Sequence, residues 1–403
     1  MLASGAVTFY GAGMYFYGLS AFFDPIRTEF GWMAATTAVM FSLRSIESGI
    51  SSPVVGFLLD RMGPGRVVLI GSVVTGLGTI LLSLVNSLWT FYLAFFVLAS
   101  VISFVVPIPG MSAATNWFVK RRAFVLGLVM MGAAFGGSIV PVFTWIIASY
   151  GWRPALVVAG VGMWVVGIPL SFVMGRRPER FGLLPDGQIP GASGKAVSEK
   201  GAAAVVEFTA KQAVRTQGFW LLSIAVIFSG FAAQAVLAFE IPAIVNVGFS
   251  AQTASFVLML TTLGGAAGRL LFGWMADKFE SKLVMAGVLA VQAVGILILA
   301  FAHSVWALVI FALVFGPAYA AVISLRPAVQ GDFFGRKAFG AIQGLIMGVM
   351  MVGTITSPIF TGWVFDQQGS YQLAFVGVAA VGLLAVPAVL LARRPAKGAS
   401  PLR

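Results

Sequence analysis

Three charged side chains stand inside long apolar stretches, where an ion is costly: Arg269 in residues 252–275, and Arg44 with Glu47 in residues 33–58. An ionised arginine at the centre of a bilayer costs at least ~2.5–3.5 kcal/mol on insertion scales, so each such charge is first read as functional. At ~1.5 Å per residue, Arg269 lies about 12 Å in from Asp277, and Glu47 and Arg44 lie about 20 and 24 Å in from Asp60. Arg269 has no acidic neighbour in its own stretch, so another helix, water or an anion must balance it. A carboxylate accepts its guanidinium fork in bidentate fashion. The structural alternative is an arginine that reaches the membrane surface along its stem, or bonds helix carbonyls, and so braces the protein. Arg44 and Glu47 are spaced i, i+3, share one helix face and are close enough to form a salt bridge. They are read either as a buried structural pair or as a cavity-facing cation beside a proton-binding acid.

Other polar groups in apolar stretches can shape a cavity. Tyr10, Tyr15 and Tyr17 lie in the first, Gln234 in the seventh, Tyr319 beside Gly316-Pro317 in the tenth and Gln343 in the eleventh. Tyr319 has the best chemistry, because Gly-Pro loosens a helix and a phenol can donate to a carboxylate. The candidate substrate-binding set is therefore Arg269, Tyr319, Arg44, Gln234 and Tyr10, with Glu47 as the candidate proton-coupling group. Cysteine is absent and the one histidine, His303, falls in a short external loop, so no metal site and no cofactor are expected.

A short loop occurs twice, each time at the end of an apolar run. The first copy has Gly56, Asp60, Arg61, Gly63 and Arg66; the second, 217 residues on, has Gly273, Asp277, Lys278 and Lys282. Charges alone would set orientation, but glycine and aspartate at fixed spacing suit helix ends that close and release, with the aspartates capping neighbouring helices. These nine residues are read as a gating motif. The duplication continues in Lys120-Arg121-Arg122-Ala-Phe and Arg336-Lys337-Ala-Phe, in Pro141 and Pro358, and in Gly151-Trp152 and Gly369-Ser-Tyr371. Internal symmetry of this kind points to a site near the midplane between two halves.

The elements that must position these groups follow from composition. The 403 residues are 59% hydrophobic and 9% charged, which leaves too little polar surface for a soluble globule. Twelve apolar segments reach spanning length: roughly 6–26, 33–58, 67–86, 89–115, 123–148, 154–174, 218–239, 252–275, 283–302, 305–325, 339–362 and 372–391. Hydropathy collapses over 176–217. The expected organisation is an all-α integral membrane protein with a six-helix half at 1–175, a cytoplasmic linker at 176–217, and a second half at 218–403 with a short tail. If the Asp60 loop is cytoplasmic, 21 of the 25 Lys and Arg fall in cytoplasmic segments, Arg27 and Arg153 fall outside, and Arg44 and Arg269 fall in spans. The positive-inside rule then places both termini in the cytoplasm, and the net charge of +12 is topology and not a nucleic-acid footprint. The chain opens almost at once into an apolar span, without a charged n-region and cleavable site, so no signal peptide is expected.

Gly56, Asp60, Arg61, Gly63 and Arg66, with the second copy, resemble the loop signature of the major facilitator superfamily, and the resemblance covers essentially the whole chain. Finer features resemble the monocarboxylate transporter family and its oxalate:formate antiporter relatives: Phe-Phe-Asp24-Pro…Glu29-Phe-Gly31-Trp32, Gly268-Arg269-Leu-Leu-Phe-Gly273, and Glu240-Ile-Pro242 with Gly248-Phe-Ser. Arg269 matches the span-eight arginine taken in both groups to pair with the carboxylate. The chain departs from them at Gly265, where animal monocarboxylate transporters have aspartate, and in 339–362, which lacks the antiporter's lysine.

The resemblance implies a secondary active transporter of a small organic anion, most of all a monocarboxylate, by proton symport and alternating access. Organic-anion exchange without a proton and proton-coupled export of amphipathic compounds stay open. The expected partners are a small carboxylate, a proton and the lipid bilayer of an inner or plasma membrane. No nucleic acid or obligate protein partner is indicated, and a monomer suffices. An enzyme is not expected, because no span holds two aspartates or a nucleophile–base pair and no phosphate loop occurs.

Overall fold

The computed structural model describes residues 2–106, 108–117, 122–174, 208–335 and 338–394. Most of the linker and the basic clusters at Lys120-Arg121 and Arg336-Lys337 lie outside that set, as do the side chains of Gly56, Asp60 and Asp277. Every regular element among the described residues is helical. The chain separates into two compact units: one of Met1–Met33, Thr37–Ala196 and Gly248–Thr262, the other of Ala34–Thr36, Val197–Val247 and Leu263–Arg403.

The first span is not one regular helix. It runs as α1 (Leu2–Gly11), a π-helical segment (Ala12–Tyr17) and α2 (Leu19–Phe30). The second is α3 (Ala34–Met62) and the third α4 (Pro64–Leu82). The fourth is broken into α5 (Leu88–Ile102) and α6 (Ile108–Trp117); the fifth is α7 (Arg122–Phe135), a 3-10 turn (Gly136–Ile139) and α8 (Val140–Tyr150); the sixth is α9 (Trp152–Met174). A short α10 (Ala210–Val214) precedes α11 (Gln217–Asn246), α12 (Ala251–Lys278), α13 (Ser281–Ala300), α14 (Val305–Phe334) and α15 (Phe339–Gln368). The twelfth span is α16 (Gln372–Leu383) with α17 (Ala385–Leu391).

Nine described helices are long and apolar enough to cross a membrane. The other three expected spans are helical too, and each falls short for a physical reason. The first and fourth are interrupted, while α3 dilutes its apolar residues with Thr36, Thr37, Ser42, Arg44, Ser45 and Glu47. α3 stops where Gly63 takes φ +77°, a conformation that costs a residue without Cβ little, and Pro64 then opens α4 where no backbone donor is needed.

At the outer end of the first unit, Glu29 accepts hydrogen bonds from Trp152 Nε1 and Arg153 Nη1, and Arg153 also donates to the Val85 carbonyl. Arg153 and Trp152 together hold the Glu29 carboxyl below its ordinary range. A depressed native pKa means stability that is present above the unfolded carboxyl pKa and is lost as pH falls through the native one. Glu29→Gln should therefore melt about a degree below wild type at neutral pH, and a thermal melt series should find the difference closing below about pH 4.

In the second unit, Asp366 of α15 caps the first turn of α3, accepting from the Ala34 and Ala35 backbone N–H groups at 2.8 and 2.9 Å. Met33, at the α3 N-cap position, supplies no side-chain cap of its own. The core of this unit gathers Phe219, Leu325, Phe333, Phe334 and Ile346.

Candidate functional site

In the first unit, irregular helix geometry builds the charged centre. The π-helical segment brings Tyr15 and Phe16 against α3, and Arg44 lies over both rings, 5.0 Å from the Phe16 centroid and 5.9 Å from that of Tyr15. Arg44 Nη1 also donates to the Phe16 carbonyl at 3.3 Å. The break after α5 places Ser103 so that its hydroxyl donates to Glu47 Oε1 at 3.1 Å, and Ser51, one turn along α3, also reaches the carboxylate. Glu47 Oε2 and the Tyr15 hydroxyl are buried and have no hydrogen-bond partner among the described residues.

The expected salt bridge between Arg44 and Glu47 is not formed among the described residues: Glu47 turns to serines while Arg44 turns to aromatic faces. Spacing i, i+3 fixes a shared face but not where each side chain goes once a neighbouring helix offers better partners. Tyr10 is buried on α1, and its hydroxyl donates to the Ala159 carbonyl of α9 at 2.9 Å, so its donor is spent on helix packing.

In the second unit Arg269 is half-buried on α12, directly after a close helix crossing. Gly264, Gly265 and Gly268 face Gly316, Pro317 and Ala320 of α14, and a Cβ on Gly268 would meet the Pro317 backbone. α14 runs unbroken through Pro317 and Pro327, so the Gly316-Pro317 step serves this contact instead of ending the helix. Tyr319, two residues beyond Pro317, is half-buried and stacks on Phe315 with 5.8 Å between centroids. Gln234 is buried on α11. Tyr10, Arg44 and Glu47 thus belong to one unit, and Gln234, Arg269 and Tyr319 to the other.

Of the paired loops, Arg61 is exposed and covers the Phe57 ring at 5.0 Å, while Lys278 covers Trp274 at 4.1 Å. Arg66 is exposed, Lys282 is half-buried, and Gly273 has open space where a Cβ would stand. The second copy departs from the first at Glu280, which occupies the place of Gly63 at negative φ and lies 3.9 Å from Arg394. Gly56, Asp60 and Asp277 lie outside the described side chains.

Two charges escaped the sequence reading because helices outlast their apolar runs. Glu240 lies inside α11 and is fully buried, and Arg326 lies inside α14, not in a flanking loop. Each stands just past the last residue of its apolar segment, at a boundary drawn on hydropathy, while the helix itself runs on.

Comparison with known proteins agrees with this architecture. The Major Facilitator Superfamily model matches residues 3–247 and 222–403. Similar proteins include monocarboxylate transporter 12 of Xenopus laevis, 23% identical over 89% of this chain and 80% of the relative, and monocarboxylate transporter 13 of Rattus norvegicus, 22% identical over 94% and 83%. The agnestins efflux protein AgnL12 of Paecilomyces divaricatus is 27% identical over 84% and 73%. Among solved structures, nucleoside transporter NupG superposes with a TM-score of 0.76 at 12% identity, covering 96% of this chain and 98% of that one. A bacterial homolog of the human lysosomal transporter Spinster, inward-facing and unoccupied, gives 0.66 at 16% identity over 97% and 92%. The relatives are transporters and not enzymes, and the twelve-span helical chain, matched along its whole length, is a multi-pass membrane transporter that belongs to the Major Facilitator Superfamily.

Proposed function

We propose that the protein carries a small monocarboxylate together with a proton by alternating access, in a cell inner or plasma membrane with both termini cytoplasmic. The observation that carries the reading is Arg269: a guanidinium held inside an apolar helix, one residue after the tightest crossing of α12 and α14 and near the Tyr319 phenol's level on α14. A carboxylate satisfies such a fork, and a proton carried with it makes the cargo neutral. Neutral cargo matters, because an inside-negative potential opposes anion entry by about 2.3 kcal/mol per 100 mV. A proton gradient of one pH unit supplies about 1.4 kcal/mol, enough for roughly tenfold accumulation. The monocarboxylate transporters among the relatives support the substrate class.

Glu47 is the proposed proton carrier. It is buried, its Oε1 accepts from the Ser103 hydroxyl, and its Oε2 accepts no hydrogen bond among the described residues. Glu47→Gln should keep exchange of labelled for unlabelled carboxylate while losing stimulation by an imposed pH gradient. Equal loss of both activities would remove Glu47 from the coupling role. Export is the second reading, favoured by the resemblance to the agnestins efflux protein. It predicts proton-driven extrusion of amphipathic compounds that survives Arg269→Ala.

A further inference from the structure

The α14 helix carries a second cation for which the transport reading above has no use. Arg326 is half-buried, eight residues and so about 12 Å from the helix end at Phe334. Its Nη1 approaches the Met350 sulfur of α15 at 3.0 Å, and its Nε is sealed from solvent with no hydrogen-bond partner among the described residues. A thioether is a weak acceptor, and the described ion pairs give Arg326 no carboxylate. The charge cannot be shed by deprotonation, because arginine stays protonated in proteins. Met350 is itself fixed from the other side by α11, where a Cβ on Gly230 would touch it at 3.0 Å.

Polar groups continue from Arg326 along both helices. On α14, Tyr319, Arg326 and Gln330 are spaced seven and four residues apart and so share one stripe, with Gln330 buried. On α15, Gln343 lies seven residues before Met350 on the same face, and its buried Oε1 has no partner among the described residues. The two helices are antiparallel across a short connection, so Gln343 falls toward the same end of the seam as Gln330.

We propose that Arg326 is a second carboxylate-binding station, reached from Arg269 by moving toward the face that carries the paired loops. The Nε faces no acceptor among the described residues and Nη1 meets only a thioether, and a carboxylate supplies both a strong acceptor and the missing charge. The station rests on the anion reading of Arg269 and extends it. An anion leaving one arginine finds another about two helical turns further on, which lowers the cost of crossing the apolar interior between them.

The test is a thermal-unfolding titration in detergent with sodium formate and sodium lactate against sodium chloride, using wild type, Arg269→Ala, Arg326→Gln, Arg326→Lys and the Arg269→Ala/Arg326→Gln double variant. The expected result is partial carboxylate stabilisation in each single loss of charge and none in the double variant. Arg326→Lys keeps the charge that the fold accommodates and should weaken the response about tenfold in midpoint, as loss of the fork predicts. In proteoliposomes, Arg326→Gln should raise the lactate KM about tenfold from the loop-bearing face and leave it within about twofold from the other. Full carboxylate stabilisation in both Arg326 variants overturns the station. So does an Arg326-dependent response to phosphatidylglycerol with none to formate or lactate, which would make the site a lipid headgroup contact. If carboxylates stabilise through Arg326 yet none is transported, the station stands and the monocarboxylate transport reading falls.

Discussion

Arg269→Ala should lower kcat/KM for the transported carboxylate at least about 100-fold, equivalent to about 2.7 kcal/mol. Two charge-assisted hydrogen bonds in fork geometry are lost, each stronger than a neutral one, and nothing else on α12 offers a positive charge within the apolar interior. Arg269→Lys keeps the charge without the planar fork and should recover part of the activity, with about a tenfold deficit remaining. Removing the cation also removes an insertion cost of roughly 2.5–3.5 kcal/mol, so the variant should reach the membrane at wild-type levels. Labelled uptake normalised to purified, monodisperse protein checks this. A bracing role would give the opposite pattern: a lower unfolding temperature and a similar loss for every solute.

Gly268→Leu should fail to accumulate as folded protein, and Gly268→Ala should lower the unfolding temperature measurably, at a cost of about 1–3 kcal/mol. A Cβ at this position would overlap Pro317 Cα, its carbonyl carbon and its oxygen. Those are backbone atoms of an unbroken helix, so no rotamer change relieves the clash. Lipid tails give apolar helices no hydrophobic reason to associate, and the close approach that Gly264, Gly265 and Gly268 permit is what holds α12 on α14. Gly287 of α13 is a fair comparison, since nothing lies within 4 Å of where its Cβ would be. Gly287→Ala should melt like wild type in the same fluorescence-detected size-exclusion assay. The α12–α14 crossing also sets where Arg269 emerges, so Gly268→Ala protein that survives should show impaired transport at intact expression.

Periodicity and hydropathy make the helices legible in the sequence, because a membrane forces every backbone donor and acceptor into helical pairing. Arg269 stood out for the same reason, as a charge that the solvent does not tolerate. Hydropathy did not reveal what happens where a helix stops being regular. The π-helical segment at Ala12–Tyr17 and the break between α5 and α6 deliver Phe16 to Arg44 and Ser103 to Glu47, and no periodic signal marks either. Glu240 and Arg326 were set outside their spans because each stands at the edge of an apolar run, where hydropathy does not distinguish a flanking loop from a helix that continues under cover of its neighbours. The Asp366 cap joins residues 332 positions apart, and only the tertiary fold brings them together. The paired glycine–aspartate loops were plain in sequence, although of the motif glycines only Gly63 is among the described residues with positive φ.

The central claim is that a carboxylate moves with a proton, and uptake by wild-type proteoliposomes tests it most directly. Labelled lactate, pyruvate, acetate, formate and oxalate are offered with and without an inside-alkaline pH gradient. The account predicts that at least one monocarboxylate accumulates against its own gradient only when the pH gradient is imposed, without generating a membrane potential. If no carboxylate enters under the gradient or exchanges across the membrane, the claim is contradicted.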